Sequence, residues 1–317
     1  MSNDSTLTAG IDVGKDKLDI AVHGQTNTFI VPNSRTGWKR LAADFATIGV
    51  GRVGIEATGG YERGVIRHLR AAGFKIVLLQ PLQVKAYARM HLRRAKNDRL
   101  DAAIIAACAH ALDARAYEPD PRLEALTDQL TFVEQVESDI ARNKTRLEHI
   151  HIPRLRLAVT QSMARLKKLL NGELRRIEAA LRAHDDLALR LDLVLSVPGI
   201  GDRTALAIVV LLPEVGQLTR EQVAALAGLA PFDDDSARRT GQRHIAGGRS
   251  RLRRSLFAAA QPAASFWNPA CMALYQRLKK AGKSHKAALI ACARKLLIFA
   301  NTVVARGTPW QDRPAQP

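Results

Sequence analysis

The first part of the chain alternates between short apolar segments and amphipathic segments, and this alternation limits the possible folds most strongly. The segment LTAGIDVGKDKLDIAVHG has the composition of strands around a glycine-bounded turn, and NTFIVP can pair with it. A helix capped by Ser34 follows, then a strand that ends at Glu56, a helix closed by Gly73 and the strand FKIVLL. Two further helical segments complete this part. A hairpin followed by alternating helices and strands predicts a mixed α/β sheet over residues 1–118.

Four acidic residues occupy unusual positions in this α/β segment. Asp12 lies inside the apolar run AGIDVG, and Glu56 ends the apolar strand GRVGIE. Asp98 and Asp101 are three residues apart at a predicted helix start, so they share one helix face. Carboxylates on apolar strands are costly unless they are paired, and four of them together repel one another without a cation. Because Mg²⁺ (or Mn²⁺) prefers carboxylate oxygens and substrate phosphate, the set indicates a metal site that acts on a phosphodiester.

Each acid also has a simpler interpretation when it is taken alone. Asp98 or Asp101 can be a helix-start charge that the helix dipole favours, and Glu56 can pair with an arginine. Asp12 has no comparable structural reason to interrupt an apolar strand. The combination of two strands and one helix face therefore favours the metal site over four unrelated charges.

The middle of the chain, residues 119–190, has a helical pattern. The segment LTDQLTFVEQVESDIARNKTRLEHI contains neither glycine nor proline, and Pro153 separates it from a second helical run. Its apolar residues follow a heptad-like seam, which Glu137 and Lys144 interrupt: Leu126, Leu130, Val133, Ile140 and Leu147. Two consecutive amphipathic helices predict a coiled-coil arm and, because such arms dimerise, a homo-oligomer. An ordinary helical subdomain is the alternative.

The last part of the chain, residues 191–317, is predicted to be mostly α-helical. The segment LSVPGIGDRTALAIVV contains the Pro-Gly-Ile-Gly turn of a helix-hairpin-helix-like element. Gly199 and Gly201 permit a tight turn, and the amides at the following helix start can hold a phosphate. A helix pair that serves only for packing is the alternative.

The segment PFDDDSARRTGQRHIAGGRSRLRR places three aspartates, Ser236 and a dense run of arginines next to one another. Pro231 forbids a simple continuation of the preceding helix, so we expect an exposed loop. The arginines are candidates for nucleic-acid binding: Arg238, Arg239, Arg243, Arg249, Arg251, Arg253 and Arg254. On the residues alone, Ser236 is an ordinary loop serine beside phosphate-binding arginines. Asp233, Asp234 and Asp235 can orient those arginines or help to deprotonate the serine.

Composition limits the class of partner. The 317 residues carry a formal net charge of +18, and 47% of them are apolar, which excludes a disordered basic tail and favours a folded protein with a polyanionic partner. Nucleic acid is the first candidate, and no apolar run approaches the roughly 20 residues of a membrane span. Aromatic residues make up only 5%, so platforms for base stacking should be few. The polar amino terminus and three scattered cysteines predict a cytoplasmic protein with buried free thiols. With nucleic acid as its partner, we expect it at the bacterial nucleoid.

Several of these segments resemble one family. GIDVGKDKLDIAV, GIEATGGYE and KNDRLDAAIIA are similar to the three acidic motifs of the DEDD transposases in the insertion-sequence 110 family, and LAGLAPFDDDSARRTGQRHIAGGRSRLRRSL resembles its carboxy-terminal segment. The resemblance implies a RuvC-like, RNase H-fold amino-terminal domain in which Asp12, Glu56, Asp98 and Asp101 form the catalytic tetrad. It also implies a coiled coil that links two functional domains. The nucleophile would be Ser236, eight residues after Gly228.

Membership would imply the reaction and the partners. Such recombinases join donor and target DNA under the guidance of a noncoding bridge RNA, through a phosphoserine bond to DNA. Their acidic and serine domains form a composite site from different protomers of a homo-oligomer, a dimer or a tetramer built as a dimer of dimers.

Two other classes stay open. A RuvC-type junction nuclease would use metal-activated water and only the amino-terminal acids. A noncatalytic nucleic-acid-binding protein would use the acids structurally.

Overall fold

The computed structural model describes residues 7–57, 59–91, 98–112, 117–232, 244–245 and 247–311. The chain divides into two compact units, Met1–Glu118 and Pro119–Pro317. These are the amino-terminal unit and the carboxy-terminal unit.

The amino-terminal unit contains a mixed five-stranded sheet, as the alternating pattern predicted. The strands are β1 (Leu7–Val13), β2 (Lys17–Val22), β3 (Thr28–Pro32), β4 (Val50–Glu56) and β5 (Lys75–Leu79). Their order in the sheet is β3-β2-β1-β4-β5. The first three strands pair antiparallel, whereas β1 with β4 and β4 with β5 pair parallel.

Within the described residues of this unit, four helices accompany the sheet: α1 (Arg35–Ile48), α2 (Arg63–Ala71), α3 (Pro81–Met90) and α4 (Asp98–Ala111). The Ser34 side chain caps α1 by accepting a hydrogen bond from the Gly37 amide, as expected. Alternate residues of the strands face opposite sides, so two apolar clusters form. Leu41 of α1 and Leu69 of α2 belong to one cluster, and Val84 of α3 and Ile105 of α4 belong to the other.

Helix α4 lies unusually close to the sheet because two central strand residues are glycines. A Cβ atom on Gly10 would stand 2.2 Å from the backbone nitrogen of Ala106, and one on Gly54 would stand 2.4 Å from the Ala109 Cβ atom. The absence of a side chain at both positions therefore fixes how near α4 can approach β1 and β4.

The described part of the carboxy-terminal unit is almost entirely helical. Its helices are α5 (Pro121–His149), α6 (Pro153–Arg182), α7 (Asp185–Leu195), α8 (Asp202–Leu211), α9 (Arg220–Leu226), α10 (Ser250–Pro262), a π-helical turn (Ala263–Trp267), α11 (Pro269–Lys280) and α12 (His285–Arg306). Residues of α8 and α12 dominate its apolar core. Helix α10 ends at Pro262, and the chain continues in π-helical geometry over Ala263–Trp267.

Helices α5 and α6 form a long hairpin, and α6 begins at Pro153 as predicted. Buried residues of α5 include Val136 and Asn143, which lie on its seam one position before the predicted interruptions at Glu137 and Lys144. Glu137 itself accepts hydrogen bonds from Arg203 of α8. The middle of the hairpin has its own apolar cluster around Val136, Ile140 and Met163.

Helix α12 corrects one expectation from the sequence. By length and composition it can span a membrane, with a mean hydropathy of 1.7 over its most apolar window, so the estimate that no apolar run approaches this length was wrong. Half of that window is buried, and Leu289, Cys292 and Leu296 belong to the core of the carboxy-terminal unit. These contacts are those of a core helix.

All three cysteines, Cys108, Cys271 and Cys292, are free and buried, which confirms the prediction of structural thiols.

Candidate active site

Two of the predicted site residues lie at the same edge of the sheet. In the parallel pair of β1 and β4, Ile11 is the partner of Ile55, and Asp12 and Glu56 follow these residues on adjacent strands. Gly10 and Gly54, two positions earlier, face α4. Because alternate residues of a strand share a face, Asp12 and Glu56 also face α4.

Helix α4 directs its amino-terminal end toward this pair. Thr8 Oγ1 lies 3.3 Å from Nδ1 of His110, near the end of α4, whereas Gly10 contacts the helix around Ala102 and Ala106. The strand and the helix therefore have opposite directions: the residues of β1 that come later in the chain lie beside residues of α4 that come earlier. This direction brings Asp101 toward Asp12 and Glu56.

The electrostatics of Glu56 reflect this arrangement. Burial raises the pKa of the Glu56 carboxyl above its ordinary value, and the charge of Asp12 raises it further. Lys85 lowers this pKa, and Asp101 adds a smaller upward contribution. The carboxylates of Asp12 on β1 and Asp101 on α4 therefore both oppose the ionisation of Glu56 on β4.

Asp98 begins α4, and its side chain lies outside the described residues. Among the described side chains, no group of three or more His, Cys, Asp or Glu residues is close enough to hold a metal ion. Asp12, Glu56 and Asp101 interact through their charges at longer range. Their chemistry nevertheless fits a divalent cation, because hard carboxylate oxygens that repel one another are relieved by such an ion.

A fifth acid at this edge was missed in the sequence. Asp19 of β2 is the direct partner of Asp12 in the antiparallel register, so both side chains face the same side of the sheet. Asp19 is only 4% exposed and pairs with Lys17, whose Nζ atom lies 3.0 Å from its Oδ2 atom. The alternation of KLDIAV contains the signal, because it puts Asp19 on the face opposite Leu18 and Ile20.

Ser236 and three of its predicted partners, Arg238, Arg239 and Arg243, lie outside the described residues, as do Asp233, Asp234 and Asp235. The described chain on either side of them forms a short antiparallel ladder, β6 (Pro231–Phe232) with β7 (His244–Ile245). This ladder corrects the prediction that the loop begins at Pro231. It brings together the two ends of the segment that carries Ser236.

The arginines after this segment have different roles. Arg249 donates from Nη1 and Nη2 to the Glu214 carboxylate at 2.7 and 2.6 Å, and Arg253 Nη1 donates to three backbone carbonyls, of which Gly247 is the nearest at 2.7 Å. These two side chains stabilise the fold. Arg251 donates to Glu134, whereas Arg254 is 74% exposed. The predicted basic surface is therefore narrower than the sequence indicated.

The two glycines of the Pro-Gly-Ile-Gly turn also differ. Gly199 has φ of 91°, which favours glycine, and it packs against Ala263. Gly201 is the N-cap of α8 with φ of −88°, so the turn geometry does not require glycine there. Gly201 is exposed, with open space where a Cβ atom would stand, so the start of α8 is accessible to a ligand.

Comparison with known families decides the identity. A model described as "Transposase", for DEDD transposases of the IS110 type, matches residues 9–151, and a model described as "Transposase IS116/IS110/IS902 family" matches residues 191–276. The chain belongs to the insertion-sequence 110 family of transposases. The first match contains all four predicted acids, and the second contains Ser236 and the arginine run.

Relatives of this transposase extend over nearly its whole length. The chain is 24% identical over 314 residues to the "Pilin gene-inverting protein" of Moraxella lacunata, covering 96% of this chain and 97% of the relative. The protein of the same name from Moraxella bovis matches with the same identity and coverage. The "Insertion element IS110 uncharacterized 43.6 kDa protein" of Streptomyces coelicolor is 26% identical, covering 98% of this chain and 97% of that protein.

Membership makes the chain an enzyme, a DNA transposase or recombinase, and implies general dependence on a divalent metal. This excludes the noncatalytic binding protein that the sequence left open.

Proposed function

We propose that this transposase joins donor and target DNA by metal-assisted attack of Ser236 on the DNA backbone, under the guidance of a noncoding bridge RNA. The observation that carries the proposal is the position of Asp12, Glu56 and Asp101 at one edge of the sheet in a DEDD transposase. The pilin gene-inverting relatives support a recombinase that rearranges DNA, because gene inversion requires cutting and rejoining.

The fold assignment belongs to the same proposal. We assign residues 1–118 to a RuvC-like, RNase H-type domain, and the order β3-β2-β1-β4-β5 with two antiparallel and two parallel strand pairs supports it. Residues 119–190 would form a coiled-coil arm, to which the long α5–α6 hairpin corresponds, and residues 191–317 the helical serine domain. The arm would assemble a dimer, or a tetramer built as a dimer of dimers.

The proposed chemistry conserves the energy of the broken bond. The Ser236 Oγ atom forms a bond to the phosphorus atom while the bond from phosphorus to one sugar oxygen breaks, and that oxygen takes up a proton. A sugar hydroxyl of another strand then attacks the phosphoserine, releases the serine and reseals the DNA. Arg238, Arg239 and Arg243 neutralise the phosphate as charge develops on its oxygens.

Asp12, Glu56, Asp98 and Asp101 would hold Mg²⁺ (or Mn²⁺). The ion, when bound, supplies positive charge to the scissile phosphate and lowers the barrier to attack. The acidic and serine domains would meet in a composite site with partners from different protomers. Pairing with the bridge RNA selects the sequence, which agrees with a protein that binds backbones through its charge of +18. Such a reaction takes place on chromosomal DNA, so we assign the protein to the cytoplasm at the nucleoid.

The test is a covalent adduct. Purified protein with Mg²⁺, its RNA and a nicked suicide substrate should give a protein–DNA adduct that survives a denaturing gel, and peptide mapping should place the DNA on Ser236. Ser236→Ala should lose the adduct but keep RNA binding, whereas the nearby control Ser250→Ala should retain both.

A RuvC-type junction nuclease is the second candidate, because the acidic edge lies entirely within the amino-terminal unit. It would leave free DNA ends. Cleavage without an adduct, undiminished in Ser236→Ala, would replace the recombinase with this nuclease.

A further inference from the structure

The π-helical turn between α10 and α11 exposes two adjacent aromatic residues. Phe266 is 78% exposed and Trp267 is 65% exposed, at the end of Ala263–Trp267. π-Helical turns are rare and are frequent at functional sites. An aromatic pair held in contact with water on a strongly basic protein is typical of surfaces that stack on nucleobases.

This turn is fixed to the Pro-Gly-Ile-Gly element. The fully buried Asn268 donates from Nδ2 to the Pro198 carbonyl at 2.9 Å and accepts from the Cys271 amide at 3.0 Å. Ala263 packs against Gly199, where a Cβ atom would not fit. The aromatic pair therefore sits beside the accessible start of α8 on a rigid support.

A cleft rich in arginine also adjoins the start of α8, where Arg203 and Thr204 line it. It has a volume of about 310 Å³ between α5, α8 and α10, and Arg203, Arg251 and Arg254 line it together with the hydroxyls of Thr204 and Ser255. Glu134 and Glu137 pair with these arginines, so three positive charges face two negative ones.

Two donors in this cluster lack an acceptor. Arg203 Nη1 and Arg251 Nη2 are buried and have no hydrogen-bond partner within the described part of the chain. A buried guanidinium N–H without a partner is unfavourable, so these side chains gain a hydrogen bond if they turn toward a phosphate oxygen in the cleft.

The cleft and the aromatic pair lie along one exposed helix face. Arg254, Ala258, Pro262 and Phe266 recur every four residues and are all exposed. At about 1.5 Å per residue, Arg254 and Pro262 are about 12 Å apart along the axis of α10, and Phe266 follows in the next turn, so a few nucleotides can span the distance.

We propose that this surface, the aromatic–arginine stripe of Phe266, Trp267, Arg203, Arg251 and Arg254, binds an unpaired nucleic-acid strand. One base stacks on Phe266 or Trp267, and a phosphate of the same strand enters the arginine cleft. An unpaired strand is favoured over a duplex because only unpaired bases present their faces for stacking. The inference rests on the proposed function, since strand exchange exposes such strands.

The test measures binding without cleavage. An end-labelled oligothymidine that contains one 2-aminopurine reports affinity by anisotropy and stacking by fluorescence quenching, and an oligouridine of the same design distinguishes RNA from DNA. The double variant Phe266→Ala, Trp267→Ala should bind about tenfold more weakly and lose the quenching. Its affinity for a duplex should not change.

Matched controls separate stacking from general effects. Leu189→Ala removes another apolar side chain of the same unit, 57% exposed, and should leave affinity and quenching at the wild-type level. Undiminished quenching in the double variant would overturn the inference. So would a change of sedimentation coefficient with unaltered oligonucleotide binding, because the aromatic pair would then join copies of the chain.

This result does not depend on the serine chemistry. Ser236→Ala should bind and quench like the wild type. If the wild type quenches normally but forms no covalent adduct, only the proposed reaction is refuted. If the wild type forms the adduct but the double variant still quenches fully, only the aromatic–arginine stripe is refuted.

Discussion

Replacing Gly10 by alanine should separate the acidic edge of the sheet from α4. The new Cβ atom would stand 2.2 Å from the Ala106 nitrogen and 2.3 Å from the Ala102 oxygen, and ordinary contact begins at 3.4 Å. Both neighbours are backbone atoms, so α4 must withdraw by about 1.2 Å. Overpacking of this kind costs about 1–3 kcal/mol, against a total stability of roughly 5–15 kcal/mol, so the domain should still fold.

The withdrawal moves Asp101 on α4 away from Asp12 and Glu56 on the strands. A displacement of about 1 Å can cost roughly 100-fold in rate, so adduct formation should fall by about that factor while the melting temperature falls by several degrees. The assay combines circular-dichroism melting with the initial rate of adduct formation.

The control for this substitution is Gly172→Ala in α6, where no atom lies within 4 Å of the added Cβ. It should be neutral or stabilise by up to about 1 kcal/mol, because alanine favours helix more than glycine does. A Gly10→Ala protein that melts and reacts like the wild type would refute the claim that α4 positions Asp101.

Two further predictions concern charge. Glu56→Gln should stabilise the metal-free protein at pH 7, since the raised pKa of Glu56 means that ionisation opposes folding. In the wild type, the cost of ionising Glu56 in the folded state grows as pH rises above the ordinary glutamate pKa of about 4.3. The increase in the urea midpoint of Glu56→Gln over the wild type should therefore shrink toward pH 4. Equal urea midpoints of the two proteins at pH 7 would contradict this prediction. Arg249→Gln should destabilise by about 1–3 kcal/mol, because it leaves Glu214 without its partner, and should not change the salt dependence of binding. Arg254→Gln should lower the slope of log affinity against log salt for a single strand by about 0.7 with little change in stability. A stable Arg249→Gln protein with a lower slope, together with a destabilised Arg254→Gln protein with an unchanged slope, would contradict both assignments.

The sequence predicted the α/β elements well because their signals are local. Period-two apolar patterns, the Ser34 cap and closing glycines each act within a few residues. The acids Asp12 and Glu56 were identifiable for the same reason, as charges within apolar strands. Asp101 was grouped with these acids as a hypothesis, but the way in which its helix reaches them was not visible, since it depends on Gly10 and Gly54 admitting α4 to the sheet.

Other features depend on partners far away in the chain. The run RSRLRR reads as one basic surface, but Arg249 pairs with a glutamate 35 residues away and Arg251 with one 117 residues away. The segment QPAASFW reads as a continuing helix. Its change to a π-helical turn accompanies packing against the Gly199 turn, and so the exposed aromatic pair could not be predicted from composition.

The central claim is that the carboxylates of the amino-terminal unit drive the serine chemistry of the carboxy-terminal unit. The most direct measurement is adduct formation by Asp12→Ala on a nicked suicide substrate, alongside its affinity for the same DNA. Our account predicts that the variant folds, binds DNA like the wild type and forms no adduct on Ser236. An adduct at the wild-type rate would contradict the claim, because the serine would then react without the acidic site.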